Sequence, residues 1–220
     1  IMIKAIAGGG GRGMRPVLTR DELDHAFERC RSEALMAFGN GDVYVEALIP
    51  HARHIEVQVI GDGKGGVSHI WERECSLQRQ RQKIVEIAPA PNLSGEMRDH
   101  LLEAAVAMAK AVDLRSLATI ELLVDSFPDG AGSPSTGHGE GFAFIEANPR
   151  LQVEHTVTEE VTGLDLVAAQ LEIAQGKTLV ALGLDQVWVP LPRGIALQAR
   201  INMETMTADG TARPGGGTLQ

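Results

Sequence analysis

Apolar and polar positions follow two rhythms along the chain, and the switches between them mark out its elements. Ile1 to Ile6 is an apolar, strand-like run broken only by Lys4. Thr19 and Glu22 have capping-box spacing, and Leu23, Ala26, Phe27, Cys30, Ala34 and Phe38 recur at helical spacing until Gly39. This predicts a helix starting near Arg20. Val43 to Leu48 reads as a strand. From His54 to Gly61 the period is two, with Ile55, Val57 and Val59 on one side and His54, Glu56 and Gln58 on the other. Asp62-Gly63-Lys64-Gly65-Gly66 predicts a hairpin turn, with Val67 to Trp71 returning. Residues 73–92 have no clean period and many charges. A second helix follows Ser94, with Met97, Leu101, Leu102, Ala105, Met108 and Val112 on its apolar side. Thr119 to Val124 and Phe142 to Ala147 read as strands flanking a Gly-, Ser- and Pro-rich loop from Asp125 to Gly141. Leu164 to Ala174 is a third helix ended by Gly176, and Gly194 to Ile201 a last strand. Antiparallel strands mixed with helices, and no internal repeat, predict an α+β fold.

Charge narrows the choice of partners. The 220 residues carry 20 basic and 29 acidic side chains, a net charge of −9. That balance argues against a broad nucleic-acid or anionic-membrane surface, so any anion site must be a local cluster. No apolar run approaches the roughly 18 residues of a membrane span. Cys30 and Cys75 show no paired spacing, which fits a reduced, cytoplasm-like compartment. The chain opens inside a strand-like run without Met and stops at Gly217-Thr218-Leu219-Gln220. The expectation is a piece of a longer polypeptide.

Four features carry candidate chemistry. Gly8 to Gly11 between a strand and a helical segment lets backbone N–H groups cradle phosphate oxygens, with Lys4 adding a point charge. The run lacks the Gly-Lys-Ser/Thr of a Walker A loop, and alone it is equally a linker. Glu121 and Glu146 come opposite each other if their strands pair. A divalent cation would relieve their repulsion; two water-facing glutamates are the plainer alternative. Beyond them Glu146, Asn148, Arg150, Gln152 and Glu154 continue at period two, with Ile145, Ala147, Leu151 and Val153 between. A persisting extended conformation would put all five on one side, as a site for activating a small anion or as a solvated edge. Arg73, Arg79, Arg81 and Lys83 cluster with Gln78 and Gln82, which composition alone reads as a solvated loop. His51 and His54 lack further Cys or His partners nearby, which favours hydrogen bonding over metal ligation for His54.

Together these segments resemble the biotin carboxylase component of biotin-dependent carboxylases, an ATP-grasp family. The matching stretches are Ile3-Lys4-Ala5 with the glycine loop through Met14, Arg53 to Val59, Glu72 to Arg79, Gln82-Lys83, Ala88-Pro89-Ala90-Pro91, Glu146 to His155, and Arg200-Ile201-Asn202. They run in one collinear order over essentially the whole chain. The resemblance implies an ATP-grasp fold: a mostly antiparallel sheet with flanking helices and a small glycine-loop lid. It implies a lid at 1–48, a main lobe at 49–190 and the start of a C-terminal subdomain at 191–220.

The resemblance also implies a reaction: ATP and bicarbonate give carboxyphosphate and ADP, and the carboxyl group passes to biotin on a carrier protein. Lys4, Gly10 and Gly11 match phosphate-binding positions. Glu46, Ala47, Leu48 and Ile49 match the adenine segment, His54 and Gln78 ribose-side contacts, and Leu123 and Arg81 further nucleotide contacts. Glu121, Glu146 and Asn148 match the positions that hold Mg²⁺ or Mn²⁺, two ions in the family. Lys83, Arg150, Gln152 and Val153 match the bicarbonate site, Glu154 the general base and Arg200 the residue facing biotin. Implied partners are a biotin carboxyl carrier protein and a carboxyltransferase, in a homo-oligomeric intact enzyme. The implied location is cytoplasmic, or the mitochondrial matrix in a eukaryote. The carboxyl acceptor, an acyl-CoA, pyruvate or urea, would be set by the neighbouring carboxyltransferase. Three departures stand out: Arg81 where the family usually has His, Ala47 where it usually has Lys, and a longer 125–141 loop. A family N-terminal domain with another phosphate-binding lysine has no counterpart in these residues. A carbamoyl-phosphate-synthetase-type ligase and a non-catalytic nucleotide-binding module share parts of the pattern.

Overall fold

The computed structural model describes residues 1–9, 13–79, 81–125, 141–209 and 211–217. The glycines at 10 and 11 and most of the 125–141 loop therefore lie outside the described residues.

The first unit is a three-stranded antiparallel sheet, β1 (Met2–Ala5), β2 (Met14–Pro16) and β3 (Val43–Glu46), in the order β2-β1-β3. Helix α1 (Leu23–Phe38) packs on it, burying Ala26 and Cys30 against Ile3 and Val17. A 3₁₀ turn at Arg20–Glu22 precedes α1. The predicted capping box forms only in part: Thr19 makes no side-chain cap, but Glu22 accepts the Leu18 N–H at 3.1 Å. Gly39 ends α1 in the left-handed conformation (φ 72°), which suits a residue without Cβ.

The second unit is a six-stranded antiparallel sheet. Its members are β4 (Ala52–Asp62), β5 (Val67–Arg79), β6 (Gln82–Ala88), β7 (Arg115–Asp125), β8 (Phe142–Asn148) and β9 (Ala196–Ala199), in the order β8-β7-β4-β5-β6-β9. Helix α2 (Gly95–Ala111) lies between β6 and β7 in sequence, capped by the Ser94 side chain, which accepts the Met97 N–H at 3.1 Å. It covers one face. Leu101, Leu102, Ala105 and Ala109 bury there against Ile55, Val57, Val59, Ile120 and Leu122. Val112, expected on this apolar side, is at the C-cap and 71% exposed. Helices α3 (His155–Thr162), α4 (Leu166–Ala174) and α5 (Leu179–Leu182) follow β8 in sequence. Leu166, Ala169, Ile173 and Leu179 pack with Ile60, Ile70 and Leu117 in a second core. A small hairpin of β10 (Glu204–Met206) and β11 (Ala212–Pro214) follows β9. Among the described residues no helix is long and apolar enough to cross a membrane. Both cysteines are free and buried.

Two expectations are corrected here. The basic cluster from Arg73 to Lys83 is no solvated loop: β5 runs on to Arg79 and β6 occupies Gln82–Ala88. Their apolar alternation is erased because the sheet face they share holds charged side chains, Arg73 fully buried among them. Nor does the extended run persist through residue 154. The strand stops at Asn148, and His155 begins α3. That helix escapes detection because Thr158 and Thr162 share its buried side with Val157 and Val161, and such β-branched residues read as strand.

Candidate active site

The face of the sheet away from α2 changes character along its strands. The register of β4 on β7 pairs Ile60 with Leu117, Gln58 with Thr119, Glu56 with Glu121, and His54 with Leu123. Paired residues of an antiparallel ladder point the same way. The face therefore runs from an apolar end under α4 to a polar end. The same pattern that builds the core on one side presents carboxylates on the other.

Arg73 anchors the polar end. It is fully buried, donates Nε to Glu56 Oε1 at 2.6 Å, and gives Nη1 to Gln58 Oε1 at 2.9 Å and Thr158 Oγ1 at 2.8 Å. Glu56 passes its other oxygen to Lys83 Nζ at 2.5 Å. Lys83 also reaches Glu154 Oε1 at 2.5 Å and Glu121 Oε1 at 3.1 Å. Burial disfavours the ammonium, but Glu56, Glu121 and Glu154 outweigh it and raise the Lys83 pKa far above its ordinary value. Burial likewise opposes ionisation of Glu121. The His54, Lys83 and Gln152 contacts win and bring its carboxyl down to about 2. His54 Nε2 stands 2.8 Å from Glu121 Oε2, an ion-pair approach without hydrogen-bond alignment, while Gln78 Nε2 meets His54 Nδ1 at 2.7 Å.

Glu121 and Glu146 are register partners on β7 and β8 and share a face. Asn148 Nδ2 donates to both, at 3.0 and 3.2 Å. Two carboxylates within reach of one amide, with that amide's own carbonyl beside them, form the hard oxygen donor set that Mg²⁺ or Mn²⁺ prefers. His54, Glu56 and Glu121 also converge within 4.8 Å. Glu56 is unsuited as a ligand there because Arg73 and Lys83 already hold both its oxygens.

Although the strand ends at Asn148, the next residues still turn into the same space. Gln152 Nε2 donates to Glu121 Oε1 at 3.1 Å, and its buried Oε1 has no partner among the described residues. Glu154, 2% exposed, lies between Lys83 and Arg200, whose Nη2 donates to Glu154 Oε2 at 2.9 Å. Arg150 is exposed; its guanidinium donates to the Leu151 carbonyl at 3.3 Å and has no carboxylate partner among the described residues. From the three-stranded sheet, Lys4 pairs with Glu46. Arg81 lies in the β5–β6 turn and donates to the Met14 carbonyl at 2.7 Å.

One cavity of about 510 Å³ gathers these groups. It is lined by Lys4 and Glu46 of the three-stranded sheet, by Ala47, Leu48 and Ile49 of the linker, and by His54, Gln78, Lys83, Glu121 and Leu123 of the six-stranded sheet. Glu146, Asn148, Arg150, Gln152, Val153, Glu154, Arg200 and Arg81 complete it. Every described residue to which the family resemblance gave a site role thus lines the same cavity, whereas His51, Arg73 and Arg79, also singled out from the sequence, do not. Gln82 of the basic cluster lines it too, as does Ser76, to which the sequence gave no role, while Glu56, Arg73 and Gln58 support it from beneath. The polar side of the His54–Gly61 alternation was the one available signal for Glu56 and Gln58. By itself that alternation does not say that the polar side is buried.

The family model for the carbamoyl-phosphate synthase L chain, ATP binding domain, matches residues 1–182. Pyruvate carboxylase of Aspergillus niger is 52% identical over 204 residues, 93% of this chain but 16% of that protein. The crystal structure of a biotin carboxylase–βγ-ATP complex from Campylobacter jejuni superposes with a TM-score of 0.83 at 42% identity, covering 94% of this chain and 43% of that one. The biotin carboxylase domain of Hydrogenobacter thermophilus 2-oxoglutarate carboxylase, solved with MgADP, ADP and bicarbonate, gives a TM-score of 0.80 at 41% identity over 92% of this chain and 41% of that one.

Proposed function

Because the chain belongs to the carbamoyl-phosphate synthase L chain ATP-binding family and has the ATP-grasp fold of biotin carboxylases, we propose that it is the nucleotide- and bicarbonate-binding part of a biotin carboxylase. The reaction is ATP-dependent carboxylation of biotin on a carrier protein, the first half-reaction of a biotin-dependent carboxylase. The observation that carries this reading is Glu154 held between Lys83 and Arg200, in one cavity with Arg150 and the Glu121–Glu146 pair.

ATP lies with adenine along Glu46–Ile49, ribose near His54 and Gln78, and phosphates toward Lys4 and Arg81. Glu121, Glu146 and Asn148 would hold Mg²⁺ or Mn²⁺, which would supply positive charge against the nucleotide phosphates. Bicarbonate sits against Arg150, Lys83, Gln152 and the Val153 backbone. It is a poor nucleophile until deprotonated, so the carboxylate beside it, Glu154, takes the proton. Lys83 and Arg150 stabilise the charge that develops as its oxygen attacks the γ-phosphate and ADP leaves. Arg200 faces the incoming biotin. On this reading residues 1–48 are the lid, 49–190 the main lobe and 191–220 the start of a further subdomain. A carrier and a carboxyltransferase are the partners, and the location is cytoplasmic or the mitochondrial matrix.

The test is ADP release by the full-length protein with ATP, Mg²⁺ and bicarbonate, with and without biotin. A biotin-dependent rise is expected. ATP cleavage indifferent to biotin would favour a different ligase of the family, and absence of cleavage a non-catalytic module.

A further inference from the structure

Arg200 reaches the cavity from just beyond β9, and part of what holds it lies on β6. Its backbone N–H donates to the Ile84 carbonyl at 2.8 Å. Its guanidinium is divided between two carboxylates. Nη2 goes to Glu154 Oε2 at 2.9 Å, and Nε goes to Glu86 Oε1 at 2.6 Å. Glu86 is three residues after Lys83 on the same strand and sits opposite Gln198 on β9. It is fully buried, and its second oxygen has no partner among the described residues.

A buried carboxylate on an interior strand is disfavoured unless something there requires an acceptor. Among the described residues the one side-chain hydrogen bond of Glu86 is with the guanidinium that also touches the candidate base. A guanidinium is a planar fork. Fixing Nε–H together with the covalent Cδ–Nε bond sets its plane, and the terminal nitrogens can then point in only one pair of directions. A long arginine side chain otherwise samples many rotamers, and ordering it when substrate arrives would weaken every interaction it makes.

We propose that Glu86 is a positioning residue: by accepting the Arg200 Nε proton it sets the guanidinium plane so that the Nη groups face Glu154 and the incoming carboxyl acceptor. The proposal rests on the reading of Arg200 given above. Burial pushes the Glu86 carboxyl up, with Arg200 pulling the other way. An acid in its neutral form still accepts Nε–H through its carbonyl oxygen. Glutamine is therefore the conservative replacement and leucine the disruptive one.

The experiment uses the full-length carboxylase and two readouts: biotin-dependent carboxylation, and the slower bicarbonate-dependent ATP cleavage without biotin. Glu86→Leu is expected to lower kcat for carboxylation about 10–100-fold, the scale of a misplaced catalytic group, with the KM for ATP within about twofold. Glu86→Gln is expected to stay within about threefold of wild type. In an Arg200→Ala background, adding Glu86→Leu should cost nothing further, since residues acting through one contact are non-additive. A merely structural glutamate would instead give the same additional loss in that background and would depress ATP cleavage without biotin as well. That result overturns the proposal, as does a near-normal kcat for Glu86→Leu, or a loss in Glu86→Gln equal to that in Glu86→Leu. If Glu86→Leu does not fold, Glu86→Met, unbranched and similar in length, is read in the same way. A wild-type enzyme without biotin-dependent turnover would sink the functional reading itself. Normal wild-type turnover with indifferent Glu86 variants would sink only the positioning role.

Discussion

Lys83 Nζ touches Glu56, Glu121 and Glu154 at once, so the charge balance of the site turns on one ammonium group. Glu154 draws on the same cation yet sits beyond the Glu121–Glu146 pair. We expect Glu154→Gln in the full-length enzyme to lower kcat at saturating bicarbonate by about 10²–10⁴, the usual loss of a general base, with nucleotide Kd nearly unchanged. A raised bicarbonate KM with kcat retained would make Glu154 a binding group instead. Glu121 gives a stability prediction. Its folded pKa, about 2, lies below the ordinary 4.5. Its contribution is thus fully present above about pH 4.5 and is lost as pH falls toward 2. At 4% exposure, that contribution is on the order of 3 kcal/mol. Urea unfolding of metal-free protein should show stability falling through that window in wild type and falling less in Glu121→Gln; parallel profiles would refute the assignment. The individual site residues were legible only through the motif resemblance. Local chemistry alone offered equally good bland readings for the glycine run, for the two glutamates and for the basic cluster. Glu86 was not legible at all and Glu56 only as the polar side of a strand, because nothing in Lys83-Ile84-Val85-Glu86 or His54-Ile55-Glu56 says that this side is buried.

Elements were read well where one face meets a helix and poorly where the face is polar. β4 alternates cleanly because Ile55, Val57 and Val59 all meet α2. The second half of β5 and all of β6 hid because their second face holds Arg73, Lys83 and Glu86, which spoils the period-two count. α3 hid behind its threonines. The well-read elements should also carry more of the stability, since they bury the larger apolar core. Leu101 on α2 is fully buried in it. Leu101→Ala should cost about 2–5 kcal/mol, the range for a truncated core leucine. The measurement is the urea midpoint at unchanged slope. A loss under about 1 kcal/mol would mean that α2 is only loosely packed on the sheet. Ser94→Ala removes the cap of the same helix and should cost about 1 kcal/mol.

At the scale of the whole molecule, the cavity is bounded by two separate sheets and the linker between them: Lys4 and Glu46 on one side, Ala47 to Ile49 at the join, His54 and Glu121 on the other. Each sheet has its own core, so a nucleotide seated between them contacts both at once and favours the folded, assembled arrangement. A ligand that binds only the native state at about 100 times its Kd adds roughly 2.7 kcal/mol. For a chain of this size each kcal/mol moves Tm by about 2–4 °C, so ADP with Mg²⁺ should raise Tm by about 5–10 °C. Part of that shift should require the metal. Glu121 and Glu146 face each other across β7 and β8, and without a divalent ion the nucleotide phosphates would approach two carboxylates with their repulsion unrelieved. Glu146→Gln should therefore shrink the difference between the MgADP and the chelator-treated ADP shifts while leaving the chelator-treated shift in place or larger. Thermal unfolding of wild type and Glu146→Gln, each with ADP plus Mg²⁺ and ADP plus chelator, decides it. If the metal-dependent difference is the same in both proteins, Glu146 is not a metal ligand and the ion is held elsewhere in the cavity.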